Sequence, residues 1–170
     1  MEEFQTIERA FDLFRNQNCV GNQNCIFVTI KDYNHASSKM GVAAGVGGLL
    51  GAAISSQMGK KDAFQDMAYD GFLINKTESG IALIPLNAQG VMWKSTPEKL
   101  VAYPACFFFR FDEIESIKIK NFALINSKVK SLKIKFKDGY TLYLSANVKD
   151  KFIPYHERNF AEFMNCYSSK

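Results

Sequence analysis

Seven lysines and no carboxylate lie between Ser116 and Lys137: Lys118, Lys120, Lys128, Lys130, Lys133, Lys135 and Lys137. Ammonium groups at that density can gather phosphate or carboxylate groups, so their spacing matters. Lys118 and Lys120 alternate with Ile117 and Ile119, and Lys133 and Lys135 alternate with Leu132, Ile134 and Phe136. A period of two places lysines on one face of a strand and apolar residues on the other. Lys118, Lys120, Lys133 and Lys135 are therefore expected to share one outer face, a candidate anionic-surface site. The remaining residues hold 14 basic against 17 acidic side chains, so the net charge of +4 is a local property. Three readings of the face compete. It can be a solvated surface that keeps sheet edges from pairing. It can meet an anionic membrane, where each lysine contributes about 1 kcal/mol. Nucleic acid is not expected, since outward aromatics are few, Tyr143 being one, and no RNP-like motif is present.

Other reactive residue types are scattered. His35 and His156 sit in unrelated contexts, without a HExxH pair or a Cys or Asp at metal-ligand spacing. Cys19, Cys25, Cys106 and Cys166 form no CxxC pair and read as buried or idle thiols. There is no GxSxG elbow and no P-loop. Asp112, Glu113 and Glu115 cluster before a strand, where solvated charge is the default reading. No catalytic residue, metal or cofactor is expected, and the chain reads as non-enzymatic.

A third feature is the glycine-rich stretch at 39–61, twenty uncharged residues between Lys39 and Lys60 with six glycines. Its length suits a membrane span of about 20 residues, but few of its side chains are bulky and apolar. A dinucleotide fingerprint would need glycine where Leu50 stands, directly after a strand. As a helix, Gly41, Ala44, Gly45, Gly48 and Ala52 fall on one small face. Interior glycines cost about 1 kcal/mol each relative to alanine, so that helix needs packing on both faces. The expectation is a helical insert whose Gly41, Gly45, Gly48 and Ala52 face meets the rest of the domain or a second copy of the chain. A flexible loop is the alternative.

These features need elements to hold them. Composition of 47% hydrophobic and 22% charged residues over 170 positions points to one globular domain. The acidic start Met1-Glu2-Glu3-Phe4 predicts no secretory signal, and a cytoplasmic protein, peripherally membrane-associated if the lysine face binds lipid. Residues 2–16 pattern as an amphipathic helix with Phe4, Ile7, Phe11 and Phe14 on one stripe. Strands are expected at Cys25–Ile30, Tyr69–Asn75, Gly80–Leu86 and Gln89–Lys94, with Leu100–Phe111 apolar and hard to divide. Strands around Ile114–Lys120, Leu132–Phe136 and Tyr140–Ala146 follow. Between the last two, a two-residue Asp138-Gly139 loop would put Leu142 on the lysine face. A three-residue Lys137-Asp138-Gly139 loop with Gly139 left-handed pairs Phe136 with Tyr140 and Ile134 with Leu142. Only that register keeps one face apolar. A helix near His156–Tyr167 closes the chain, with Phe160, Phe163, Met164 and Tyr167 as its stripe.

The stretches "DEIESIKIKN", "VKSLKIKFKDGYTLYLS" and "HERNFAEFMNCY" stand in the order of late strands, hairpin and capping helix. In this the chain, over residues 24–168, resembles the pleckstrin-homology-like (PH/GRAM-like) superfamily in its bacterial form. The resemblance implies an α+β fold: an antiparallel, partly open barrel of about seven strands capped by the helix at 155–168. The N-terminal helix at 1–17 and the glycine-rich insert after the first strand complete a single domain. It also implies lipid or protein binding without catalysis. The only tryptophan, Trp93, lies outside the closing helix, and only Lys31 and Lys39 stand where a basic phosphoinositide pattern would fall. The expected partners are a protein or an anionic membrane surface, with self-association through the glycine-rich segment. A small-molecule or lipid carrier, or an unrecognised enzyme, using a pocket beside the glycine-rich helix is the competing expectation.

Overall fold

The structure, a computed structural model, describes residues 4–19, 21–30, 69–88, 97–122 and 128–167. The glycine-rich stretch, with Gly41, Gly45, Gly48 and Ala52, and the strand expected at Gln89–Lys94 lie outside the described residues.

Helix α1 spans Ile7–Asn16 and starts later than the apolar pattern suggests, because Thr6 caps it. The Thr6 hydroxyl accepts the Arg9 N–H at 3.4 Å, a donor the first turn leaves without a helical partner. Phe4 precedes the cap but still buries fully, stacking on Phe27 with ring centroids 6.2 Å apart.

Eight strands follow: β1 (Ile26–Ile30), β2 (Gly71–Lys76), β3 (Gly80–Ala88), β4 (Leu100–Ala102), β5 (Phe107–Arg110), β6 (Ile114–Asn121), β7 (Val129–Phe136) and β8 (Thr141–Asn147). Helix α2 (His156–Tyr167) ends the described chain. The strands form one antiparallel sheet in the order β4-β3-β2-β1-β8-β7-β6, with β5 also on β3. The count exceeds the expected seven because Leu100–Phe111 divides. Its first part pairs with Leu86–Ala88 and its last part with Gly80–Leu83, both along one edge of β3. The fold is thus α+β with an open sheet: among the described residues no pairing joins β6 to β4 or β5.

Two turns set the registers. Lys76 pairs with Ile81, and the Thr77 hydroxyl accepts the N–H groups of Ser79 (3.2 Å) and Gly80 (3.0 Å). At the β7–β8 turn, Phe136 donates to the Tyr140 carbonyl at 2.9 Å and Ile134 faces Leu142. Gly139 sits at φ +91°, as the three-residue loop requires.

Two apolar layers follow from this order. On the inner face, Phe72, Ile74, Leu83, Leu132, Ile134 and Leu144 pack with Phe160 and Phe163 of α2. Phe109 of β5 and Phe136 of β7 approach to 4.5 Å between ring centroids, so the sheet curls until its distant strands meet across the core. On the opposite face, α1 places Ala10 and Phe14 among Phe27, Leu73 and Ile84. Strands β1 to β3 are therefore covered on both sides, and β2 reads as a near-continuous apolar run. Among the described residues, strands β6 to β8 are covered on one side only, and they alternate.

Phe160 and Phe163 are 0% and 4% exposed, so alanine at either should cost about 3–5 kcal/mol. Urea melts measure this. A loss below about 1 kcal/mol would mean that α2 does not seal the inner core.

Candidate anionic-surface site

The outer face of β6, β7 and β8 carries no buried side chain. The ladders arrange it in rows. Lys120 lies opposite Ser131, which lies opposite Ser145 and then Thr29. Lys118 lies opposite Lys133, which lies opposite Tyr143, and Ser116, Lys135 and Thr141 form the next row. All four lysines singled out in the sequence thus share one face. Two of them, Lys118 and Lys133, are direct cross-strand neighbours, an arrangement in which like charges repel.

The face partly relieves that repulsion. The Lys133 ammonium leans over the Tyr143 ring, 5.3 Å from its centroid. Lys135 pairs with Glu115 at 2.7 Å, both half exposed, so the pair contributes little to stability. Glu115 reaches Lys135 because of a bulge: the register slips between Ile114 and Ser116, leaving Glu115 and Ser116 against one residue of β7. Lys118 and Lys120 are exposed and, among the described residues, have no ion-pair partner. The face thus presents two unengaged ammonium groups and a third resting on an aromatic ring. Such a surface can gather anions.

The acidic cluster is structural. Glu113 accepts the Arg110 N–H at 2.8 Å while its backbone carbonyl accepts the Lys137 N–H at 2.9 Å. Asp112 pairs with the Arg110 guanidinium at 2.7 Å. These contacts hold the single 3₁₀ turn between β5 and β6. Among the described residues, no three His, Cys, Asp or Glu side chains are grouped as a metal would need. The thiols divide by depth. Burial pushes Cys25 up to about 11, and burial together with the neighbouring Cys19 thiol pushes Cys106 higher still. Cys166 is exposed, 3.3 Å from the Lys76 ammonium.

Three buried polar side chains escape a reading by composition. The amide-rich turn before β1 docks on the end of β2: Asn24 exchanges two 2.9 Å hydrogen bonds with the Lys76 backbone, imitating a strand pair. Buried Asn75 donates to the Asn22 carbonyl at 2.7 Å, and Gly21 lies so close that a Cβ there would collide with the Asn75 side-chain oxygen. The other two, His156 and Asn159, open α2 on the same side as Phe160 and Phe163. β1 and β8 pair only at Thr29–Ser145 and Ile30–Leu144. Continuing the register would set Phe27 opposite Asn147. Instead the imidazole stands between them. The Phe27 N–H donates to His156 Nδ1 at 3.0 Å, and Nε2 faces the Asn147 carbonyl at 2.7 Å. Phe27 can only donate, so Nδ1 accepts and Nε2 carries the hydrogen. Just before β1 begins, the Cys25 carbonyl accepts from the Asn159 amide at 3.0 Å. The signal in the sequence was two polar residues, three apart, on an otherwise apolar helical stripe.

No helix of the described residues is long and apolar enough to cross a membrane. No family model matches the sequence, and no curated protein matches it.

His156 predicts an acid sensitivity. Burial lowers its affinity for a proton in the folded state, outweighing the Asn147 carbonyl and the Asp150 charge, while an unfolded histidine titrates near about 6.5. The unfolded chain therefore takes up the proton first. Stability should be full above about pH 6.5 and fall as pH drops from there toward the folded value. His156→Ala should cost about 2–4 kcal/mol by stranding the Phe27 N–H and the Asn147 carbonyl. It should also flatten the pH dependence between pH 5 and 7 in urea melts. An unchanged slope would assign the titration to another group.

Proposed function

We propose that this chain is a non-enzymatic, PH-like binding module that docks on an anionic membrane surface through the outer face of β6–β8. One observation carries the reading. On the outer face of β6–β8, which no helix of the described residues covers, Lys118, Lys120 and Lys133 stand together without a carboxylate partner among the described residues. A face needed only for solubility is served by mixed charges; here like charges are set side by side, and an external anion relieves them. The order of antiparallel strands closed by a C-terminal helix in the inner core supports the PH-like part of the reading. The same core weighs against a carrier that uses the barrel interior, because apolar side chains from seven strands and α2 pack that space; a pocket beside the glycine-rich stretch would lie outside the described residues.

The strength follows from the count. About 1 kcal/mol for each of the three lysines gives about 3 kcal/mol, roughly a 150-fold preference for an anionic over a neutral surface. Docking of this kind is reversible and weakens with salt.

Sedimentation with phosphatidylserine-containing vesicles tests it. The parent protein should pellet at low salt and stay soluble with pure phosphatidylcholine. Lys118→Glu, Lys120→Glu and Lys133→Glu together should abolish pelleting without lowering the melting temperature. Lys135→Glu alone should do less, because Lys135 is already held by Glu115. Equal binding by parent and triple variant would end this assignment.

A further inference from the structure

We propose that Phe122 and Tyr143 are apolar anchors that seat this face in the headgroup region of an anionic bilayer and fix its orientation there. The inference rests on the docking face proposed above and deepens it. Among the described residues only two large hydrophobic side chains are strongly exposed, Phe122 at 47% and Tyr143 at 43%. Both stand on the lysine face. Tyr143 is directly opposite Lys133 on the outer side. Phe122 continues the alternation of Lys118 and Lys120 past the end of β6, where its N–H donates to the Val129 carbonyl at 3.0 Å. Val129 belongs to the outer set of β7 with Lys133 and Lys135.

The placement is informative in three ways. Phe122 and Tyr143 lie on strands two apart and four residues apart along them, about 17 Å from one another by ordinary strand spacings. Lys118, Lys120 and Lys133 fall between or beside them. The pattern is thus a cationic patch bracketed by two aromatic rings. Lysines alone hold a protein above a charged surface without choosing a depth or tilt. Aromatic side chains favour the membrane–water interface, where the ring is shielded and polar atoms stay wet, and the lysine stems extend from there to the phosphates. Two anchors and a charge patch define a plane. A soluble acidic protein would neutralise the same lysines, but a contiguous apolar pocket would be needed to receive rings so far apart. A bilayer interface receives them anywhere.

The experiment compares the full-length parent with Phe122→Ala, Tyr143→Ala and the double variant. All are measured on phosphatidylserine/phosphatidylcholine vesicles at low and high salt. Each alanine should lower partitioning about tenfold, since partial burial of one aromatic ring accounts for that much. The salt dependence should keep the parent's slope, because the lysines remain. In a separate variant, Phe122→Trp should add emission that brominated lipid quenches, beyond the quenching seen for the parent. If the parent binds but the alanine variants partition equally and the new tryptophan is not quenched, the anchors are refuted while the lysine face stands. A parent that ignores these vesicles but binds poly-glutamate overturns both.

Discussion

The structure depends on how the two halves of the sheet meet at β1. Among the described residues that strand is the only link between β2 and β8, yet it shares just two residue pairs with β8. Beyond Thr29 the strands part, and backbone groups that would be unpaired in an apolar interior are met by α2 instead. His156 relays a hydrogen bond from Phe27 to Asn147, and Asn159 takes the Cys25 carbonyl. The helix is therefore more than a plug. Its first turn substitutes for the missing rungs of the ladder, while its next residues, Phe160 and Phe163, fill the curl that the splaying opens. A neutral imidazole suits the position because it accepts on one side and donates on the other, which an amide or hydroxyl of other reach would not bridge.

The same splaying explains the unequal coverage of the sheet. With α2 inside the curl, α1 has only the back of β1 to β3 to cover, and it does so with Ala10 and Phe14, joined by Phe4 from just before the helix. Nothing in the described chain lies over the back of β6 to β8. The alternation of Lys118, Lys120, Lys133 and Lys135 with isoleucine, leucine and phenylalanine is the consequence, one side dry and the other wet. The candidate surface is thus a product of topology as much as of composition. It is a broad sheet face that no described element covers.

Much of this was legible in the residue order. The register of the β7–β8 hairpin followed from keeping Leu142 inside, and Gly139 at positive φ bears it out. The stripe of α2 followed from its period, and the shared face of the four lysines from theirs. What escaped has a common cause. Leu100–Phe111 is apolar throughout and contains no period, so its division into β4 and β5 is decided by the two stretches of β3 it meets. Asn75, His156 and Asn159 look like surface residues by type. Their burial is dictated by backbone groups far away in sequence, which no local pattern encodes. Phe122 lies one alternation beyond the last lysine of β6, where the apolar run that follows hides its membership of the outer face.

The splice at β1 also orders events during synthesis. Phe27 leaves the ribosome long before the histidine that completes it, 129 residues later in the chain. Until α2 emerges, β1 can pair with β2, 42 to 48 residues downstream, but the part of its other edge that β8 does not pair remains a bare row of donors and acceptors beside fully apolar neighbours. Such an edge invites pairing with another nascent chain. Helix α2, made long after β1, is thus the element that covers this exposed edge. Premature termination between the end of β8 and His156 leaves a polypeptide with its strands made and an unguarded seam at their centre.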